Sequence, residues 1–171
     1  KGRSYQYGNV ELLPRPAQQP YPTVWMGATS TTESFEFAGR SGFHLMLIPF
    51  LHELDELRSM VEIYFKARRA AGHDPQTARV VAMYHLYVGE NSAEARATAE
   101  PALAAYHAAA AQARNLTQGI PEPESYRTHD EHRAKMRKLT FNDLVEQNRV
   151  LVGDAAEVRD KVAHVRERLH L

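Results

Sequence analysis

The sequence predicts an α/β fold built on a parallel sheet covered by helices. Three short runs are apolar throughout rather than alternating: "TVWMGA", "FHLMLI" and "ARVVAMYHLYVG". Strands of that kind suit a parallel sheet with helices on its faces. Helical periodicity follows each run, in the order strand, helix, strand, helix, strand, helix, helix. At 171 residues the chain is about one domain long.

The elements follow in order. "YQYGNVELL" alternates weakly around the turn signal Gly8-Asn9 and reads as a short hairpin or an extended arm. Pro14, Pro16, Pro20 and Pro22 then forbid helix and regular ladder pairing. Residues 1–22 are therefore an arm and connector, and 23–171 hold the strand–helix units. The first strand ends near Gly27, and a short helix runs from about Thr31 to Gly39 or Gly42. The second strand, Phe43 to Ile48, is stopped by Pro49. In the next helix Leu54, Leu57, Val61, Tyr64 and Phe65 form one stripe, and Gly72 closes it. The third run, Ala78 to Gly89, is rich in β-branched and aromatic residues and reads as one strand. Asn91 with Glu94 is a capping-box signature opening an Ala-rich helix to about Arg114. A loop and a charge-dense segment, about Tyr126 to Lys138, follow. "TFNDLVEQNRVLVG" reads as a short helix. Asp154 with Glu157 is a second capping box, opening a final helix striped by Ala155, Val158, Val162, Val165 and Leu169. That stripe needs a sheet to lie on, and no strand follows it. Three strand–helix units are few for a complete α/β domain.

Composition narrows the function. Lys plus Arg and Asp plus Glu number 21 each, so no net field favours nucleic acid or an anionic membrane. "HRAKMRK" is basic but brief and without interleaved aromatics. No apolar run is long enough to span a bilayer, and the start lacks a secretory pattern, so the expectation is a cytoplasmic protein. The absence of Cys removes disulfides and thiolate metal sites. His129 and His132 have i, i+3 spacing in a charged surround that reads as a solvated face, so no metal site is expected. No G-x-S-x-G, P-loop or G-x-G-x-x-G occurs.

One stretch stands out: "WMGATSTTESFEFAGRSG", where hydroxyls crowd a strand-to-helix junction. Ser30 with Glu33 is itself a capping-box pattern, so helix capping accounts for them. The same place, a helix N-terminus after a strand end, is also an anion site. The two readings are compatible.

The stretch "VELLPRPAQQPYPTVWMGATSTTESFEFAGRSG" also resembles the bacterial luciferase-like flavin monooxygenases. That family shows a P-x-P-x-Q-x-P-x-P connector, a strand ending in small residues, and S-P-E-S opening a helix that ends A-x-x-G. Here Pro14, Pro16, Gln18 or Gln19, Pro20 and Pro22 match the connector. Thr31, Thr32, Glu33 and Ser34 stand at S-P-E-S, with Thr32 replacing its Pro, and Ala38, Gly39 and Gly42 follow. "RAAGHDP" and "VGDAAEVRDKV" resemble later family segments, the second a G-x-P-E-E-V motif. The subgroup attached to polyketide and nonribosomal peptide assembly lines is the most similar.

The resemblance implies the C-terminal portion of a (β/α)8 TIM barrel of luciferase-like type, incomplete, lacking the first four strands and one expected after Leu171. It implies an FMN-dependent monooxygenase of secondary metabolism, in which reduced FMN acts as co-substrate and, with dioxygen, oxygenates a small organic molecule. A partner flavin reductase would supply the reduced flavin, and the missing barrel half would come from the same or another chain, with a homo-oligomer expected. Gly27, Ala28, Thr29, Ser30, Thr31 and Thr32 would hold the phosphate. The catalytic groups would come mostly from the other half. His85, near its strand's C-terminal end on a face with Val81, Met83 and Tyr87, is the one catalytic candidate here, against the alternative of a hydrogen-bonded core histidine. His52, just past a strand end, is a substrate-side candidate. His44 and Trp25 sit at the strand ends away from the site. The alternatives are a deazaflavin-dependent oxidoreductase of the same fold and a non-catalytic flavin-binding or assembly half-barrel.

Overall fold

The structure is a computed structural model that describes residues 5–11, 13–115 and 134–171. Residues 5–11 form no regular structure and are exposed, an arm rather than a hairpin. His129 and His132, and most of the charged segment before Lys138, lie outside the described residues.

Strands β1 (Trp25–Ala28), β2 (His44–Leu47) and β3 (Val80–Ala82) form a parallel ladder in that order. Trp25 pairs with His44 and Leu45 with Val80. A second parallel ladder joins β4 (Leu86–Val88) to β5 (Leu151–Gly153), with Leu86 opposite Leu151. The apolar run expected as one strand is therefore two. Its first half pairs with β2 and its second with β5, and residues 83–85 bridge them: Met83 N donates to Leu47 O, and Leu151 N donates to His85 O. One stretch of chain thus joins both ladders, which are staggered along the strand direction. Stagger of this kind is what a barrel requires.

β5 corrects a second expectation. "TFNDLVEQNRVLVG" is not one helix. A helix covers only Phe141–Glu146, Asn148 turns with φ 54°, and Leu151–Gly153 is strand. Four apolar or small residues in a row, Val150 to Gly153, carry no period, and all four are buried. The final helix lies against this strand, which precedes it.

Among the described residues the main helices are α1 (Thr32–Arg40), α2 (Leu54–Ala70), α3 (Ser92–Asn115), α4 (Phe141–Glu146) and α5 (Ala155–Leu169). Strand residues Ala28, Leu45 and Leu47 pack with Phe35, Ala38, Leu57, Val61, Tyr64, Val165 and Leu169 in one buried cluster. Each large apolar side chain buried there contributes about 1.5–3 kcal/mol. α1 lies close on α2 because Gly39 has no side chain; a Cβ there would strike the carbonyl oxygen of Tyr64. Arg68 is 4% exposed, and its guanidinium donates to the carbonyls of Asp74 and Phe43 and to Thr77 Oγ1. A second cluster joins Ala95, Ala99 and Leu103 of α3 to Leu144, Val145, Val150 and Val152. α5 buries Val158, Val165 and Leu169 against β5 and α2, while Ala155 and Val162 of the expected stripe are exposed.

The opposite face of the first ladder is open among the described residues. Trp25, Gly27, Val81 and Met83 are exposed there. No helix among the described residues is long and apolar enough to cross a membrane.

Candidate functional site

The hydroxyl cluster sits where β1 feeds α1. Thr31 is the N-cap residue, extended at φ −98°, ψ 123°, yet its side chain makes no capping hydrogen bond. Its Oγ1 lies 2.7 Å from Ser34 Oγ. The expected Ser30–Glu33 capping box is not formed. Ser30 is 8% exposed and its Oγ lies 3.4 Å from His52 Nε2. Among the described residues, no side chain thus caps the first turn of α1. The N-terminus of α3 receives Asn91 Oδ1, that of α4 the Thr140 hydroxyl, and that of α5 the Asp154 carboxylate. The physical reason for the difference is competition: His52 engages the hydroxyl that spacing alone would assign to the cap.

The six residues expected at the phosphate do not stand alike. Thr32 is exposed on the first turn, and Thr29 and Thr31 are half-buried. Gly27 faces open space, where an added Cβ would meet nothing within 4 Å. Ala28 is 2% exposed and belongs to the helix-side core, so only its backbone remains for a ligand.

His52 follows β2 and a short 3-10 turn, Pro49–Leu51. It is 1% exposed. Its Nδ1 lies 3.0 Å from Glu56 Oε2, in the first turn of α2. Ser30, His52 and Glu56 thus form a hydroxyl–imidazole–carboxylate array spanning two strand ends. Arg149, just before β5, reaches this region because of the ladder stagger. It is 7% exposed, with Nη2 3.7 Å from Glu53 Oε1 and Nε donating to Gln147 Oε1 at 2.7 Å. Burial pulls its pKa down, and Glu53 and Glu56 push it back up. Position in sequence gave no signal for Arg149, since it is brought there by a strand that periodicity conceals.

His85 lies in the bridge between β3 and β4, apart from that array. Its ring packs edge-on against Phe50 at 5.4 Å and Tyr106 at 4.7 Å, and Phe50 also meets His107 at 4.8 Å. Burial lowers the His85 pKa, favouring the neutral ring. Two cavities, of about 280 and 550 Å³, meet at His85 and Tyr106, with Phe50 and Leu139 along the larger. This apolar, aromatic space suits an organic molecule better than an anion. At the other end of the strands the Trp25 and His44 rings meet at 4.8 Å, tilted by 56°. Burial lowers the His44 pKa first, with Arg68 and Arg79 adding to it.

The β5–α5 junction is another helix N-terminus at a strand end. Asp154 Oδ1 accepts from Ala156 N and Glu157 N, and Ser92 Oγ donates to its Oδ2 at 3.1 Å. Those bonds hold the Asp154 carboxyl below its ordinary range, the Glu157 backbone first among them. Glu157 does not close the expected box. It pairs with Lys161 at 2.7 Å and Arg96 at 3.0 Å, and hydrogen bonding to Lys161 is the largest cause of its lowered pKa.

The sequence profile described as luciferase-like monooxygenase matches residues 1–170. The chain belongs to that family. Its curated relative from Acinetobacter baylyi, the oxygenase component of a flavin-dependent trigonelline monooxygenase, is 27% identical over 164 residues, covering 94% of this chain and 43% of the relative. Among solved structures, the monooxygenase RslO1 of Streptomyces bottropensis superposes with a TM-score of 0.64 at 26% identity, covering 99% of this chain and 44% of that one. The oxygenating constituent of 3,6-diketocamphane monooxygenase from Pseudomonas putida, solved with FMN, gives 0.63 at 20% identity over 88% of this chain and 40% of that one. The fold is thus that of a luciferase-like barrel, of which the chain carries a part: it spans about two-fifths of the relatives it matches, 43% and 44%.

Proposed function

We propose that this chain supplies the flavin-phosphate end of the site in an FMN-dependent luciferase-like monooxygenase. The observation that carries the reading is the first turn of α1, which no side chain caps among the described residues although hydroxyls surround it. Free N–H groups and the positive end of the helix favour a phosphate there. Thr31 and Thr32 are placed to add hydroxyl donors, and the open space at Gly27 lets a large planar group approach the backbone. The residues present therefore fit FMN. Family membership and the FMN complex of the Pseudomonas putida fold relative support the choice of ligand.

When bound, the reduced flavin supplies the redox chemistry by which dioxygen oxygenates an organic substrate. The chain's own part is to bind the phosphate, orient the ring system and exclude water. The aromatic space around His85, Phe50 and Tyr106 forms a wall for the substrate, and the neutral His85 ring suits that apolar surface. The Acinetobacter relative is an oxygenase component, which supports delivery of reduced flavin by a separate reductase. The remaining strands of the barrel complete the site and bring the catalytic groups.

Fluorescence titration of the intact protein with FMN, riboflavin and a deazaflavin cofactor tests the reading. FMN is expected to bind at least about tenfold tighter than riboflavin, equal to about 1.4 kcal/mol from the phosphate. Equal affinities would refute a phosphate site, and a preference for the deazaflavin would move the chain to the hydride-transferring branch of the fold.

A further inference from the structure

The Ser30–His52–Glu56 array carries an inference about how the phosphate is held, and it rests on the phosphate reading above. Glu56 Oε2 lies 3.0 Å from His52 Nδ1, and a negative carboxylate at that distance favours a proton on that nitrogen. His52 Nε2, 3.4 Å from Ser30 Oγ, then has two states. In the neutral ring Nε2 is an acceptor and takes the single proton of the Ser30 hydroxyl. The oxygen lone pairs are what remain, and they repel an anion. In the imidazolium Nε2 donates to Oγ, and the hydroxyl proton is released to point elsewhere. Ser30 has one proton to give, so it serves His52 or the anion, never both.

We propose that Ser30, His52 and Glu56 form a proton-coupled clamp, in which docking of a phosphate dianion on the first turn of α1 makes His52 take up a proton from solvent and frees the Ser30 hydroxyl to donate to the phosphate. His52 is a positioning residue acting through Ser30. Among the described residues, the charged groups near it are Glu56 on α2, Glu53 just before α2, and Arg149 from the segment before β5. The two carboxylates favour the imidazolium. Arg149 opposes it, but is itself 3.7 Å from Glu53, which draws its charge toward that side. His52 is 1% exposed and Ser30 8%, so solvent does not replace either partner. By linkage, the tighter the phosphate is held, the more the second proton is favoured, and the reverse.

Calorimetry in buffers of different ionisation enthalpy tests this on the intact protein with oxidised FMN and riboflavin. At about pH 8 a phosphate monoester is already a dianion, with its second pKa about 6, and contributes little proton exchange of its own. FMN is expected to bind with uptake of a large fraction of one proton, and riboflavin with none. His52→Gln, which donates without titrating, abolishes the uptake while keeping a preference for FMN. Ser30→Ala, a small change that leaves His52 in place, lowers the FMN-over-riboflavin preference about tenfold. In that background His52→Gln lowers it no further. FMN preferred over riboflavin without proton uptake, or uptake that survives His52→Gln, overturns the clamp alone. FMN and riboflavin bound alike overturns both the clamp and the phosphate reading.

Discussion

Two of the junctions at which a strand end feeds a helix N-terminus, β1–α1 and β5–α5, are finished in opposite ways. At β1–α1 the hydroxyls are present, but none caps the helix, and Ser30 is drawn off to His52. At β5–α5 the Asp154 carboxylate occupies the first turn, and Glu157, Lys161 and Arg96 close over it as an ion-pair network. An anion brought to the second junction meets two carboxylates; at the first it meets donors. Similar backbone geometry thus leaves an uncapped helix start in one place and a closed ion-pair joint in the other. The difference lies in where acceptor side chains have been spent, which the positions of Ser, Thr and Asp in the chain do not reveal.

Each junction is approached closely by something that a new side chain would disturb, and the disturbances differ in size. Gly39→Ala drives a Cβ into the Tyr64 carbonyl, which is backbone and cannot yield, so α1 must lift from α2. A loss of about 3 kcal/mol is expected in denaturant unfolding, with flavin affinity falling in step. Thr31→Asp converts the first junction into a copy of the second. It caps the free N–H groups and adds stability of about 1 kcal/mol. It is also expected to weaken FMN at least about tenfold while leaving riboflavin unchanged. Stability and affinity moving together would break the comparison. Gly153→Ala meets the Glu157 carboxylate, a flexible side chain that can swing aside, so its cost is about 1 kcal/mol and FMN binding does not change.

The smallest effect is a matter of pH. The Asp154 carboxyl lies below its ordinary range in the folded chain. Its contribution to stability is complete above the unfolded-state pKa, about 3.9, and is lost as pH falls through the lower folded-state value. Asp154→Asn keeps a cap but does not titrate. Acid unfolding followed by circular dichroism is therefore expected to be less steep in the variant, with no difference between the two in FMN affinity.

Much of the fold was legible because its first units obey simple periods. Leu54, Leu57, Val61 and Tyr64 fall on one stripe in the sequence and are buried together in the structure. Gly42 and Gly72, with φ of 72° and 80°, mark the helix ends they suggest. The second half was harder. β5 is three residues long and buried on all three, so it shows no alternation. The run from Ala78 to Gly89 looked like one strand because its composition is uniform; only its change of partner divides it. At the site, the stretch from Gly27 to Thr32 was legible as a place. Its internal division of labour was not: Ala28 turns into the core, and Ser30 serves a histidine twenty-two positions on. Ser30, the local His52–Glu56 pair and Arg149 come from three different parts of the chain and are joined only by tertiary structure.

Contacts between the two ends of the described fold have a consequence for how it is reached. The Arg168 guanidinium meets the Asp55 carboxylate across 113 positions of chain. Beside it, Val165 and Leu169 fill the cluster begun by Ala28 and Phe35. During synthesis, therefore, β1, β2 and α2 leave the ribosome with part of their shared core still unmade, and α2 waits with an apolar flank bare until α5 arrives. Long loop closures of this sort slow folding and lengthen exposure to wrong partners. The β1–α1 junction precedes α5 in the chain, but its supporting layer is finished only when the last turn of α5 docks.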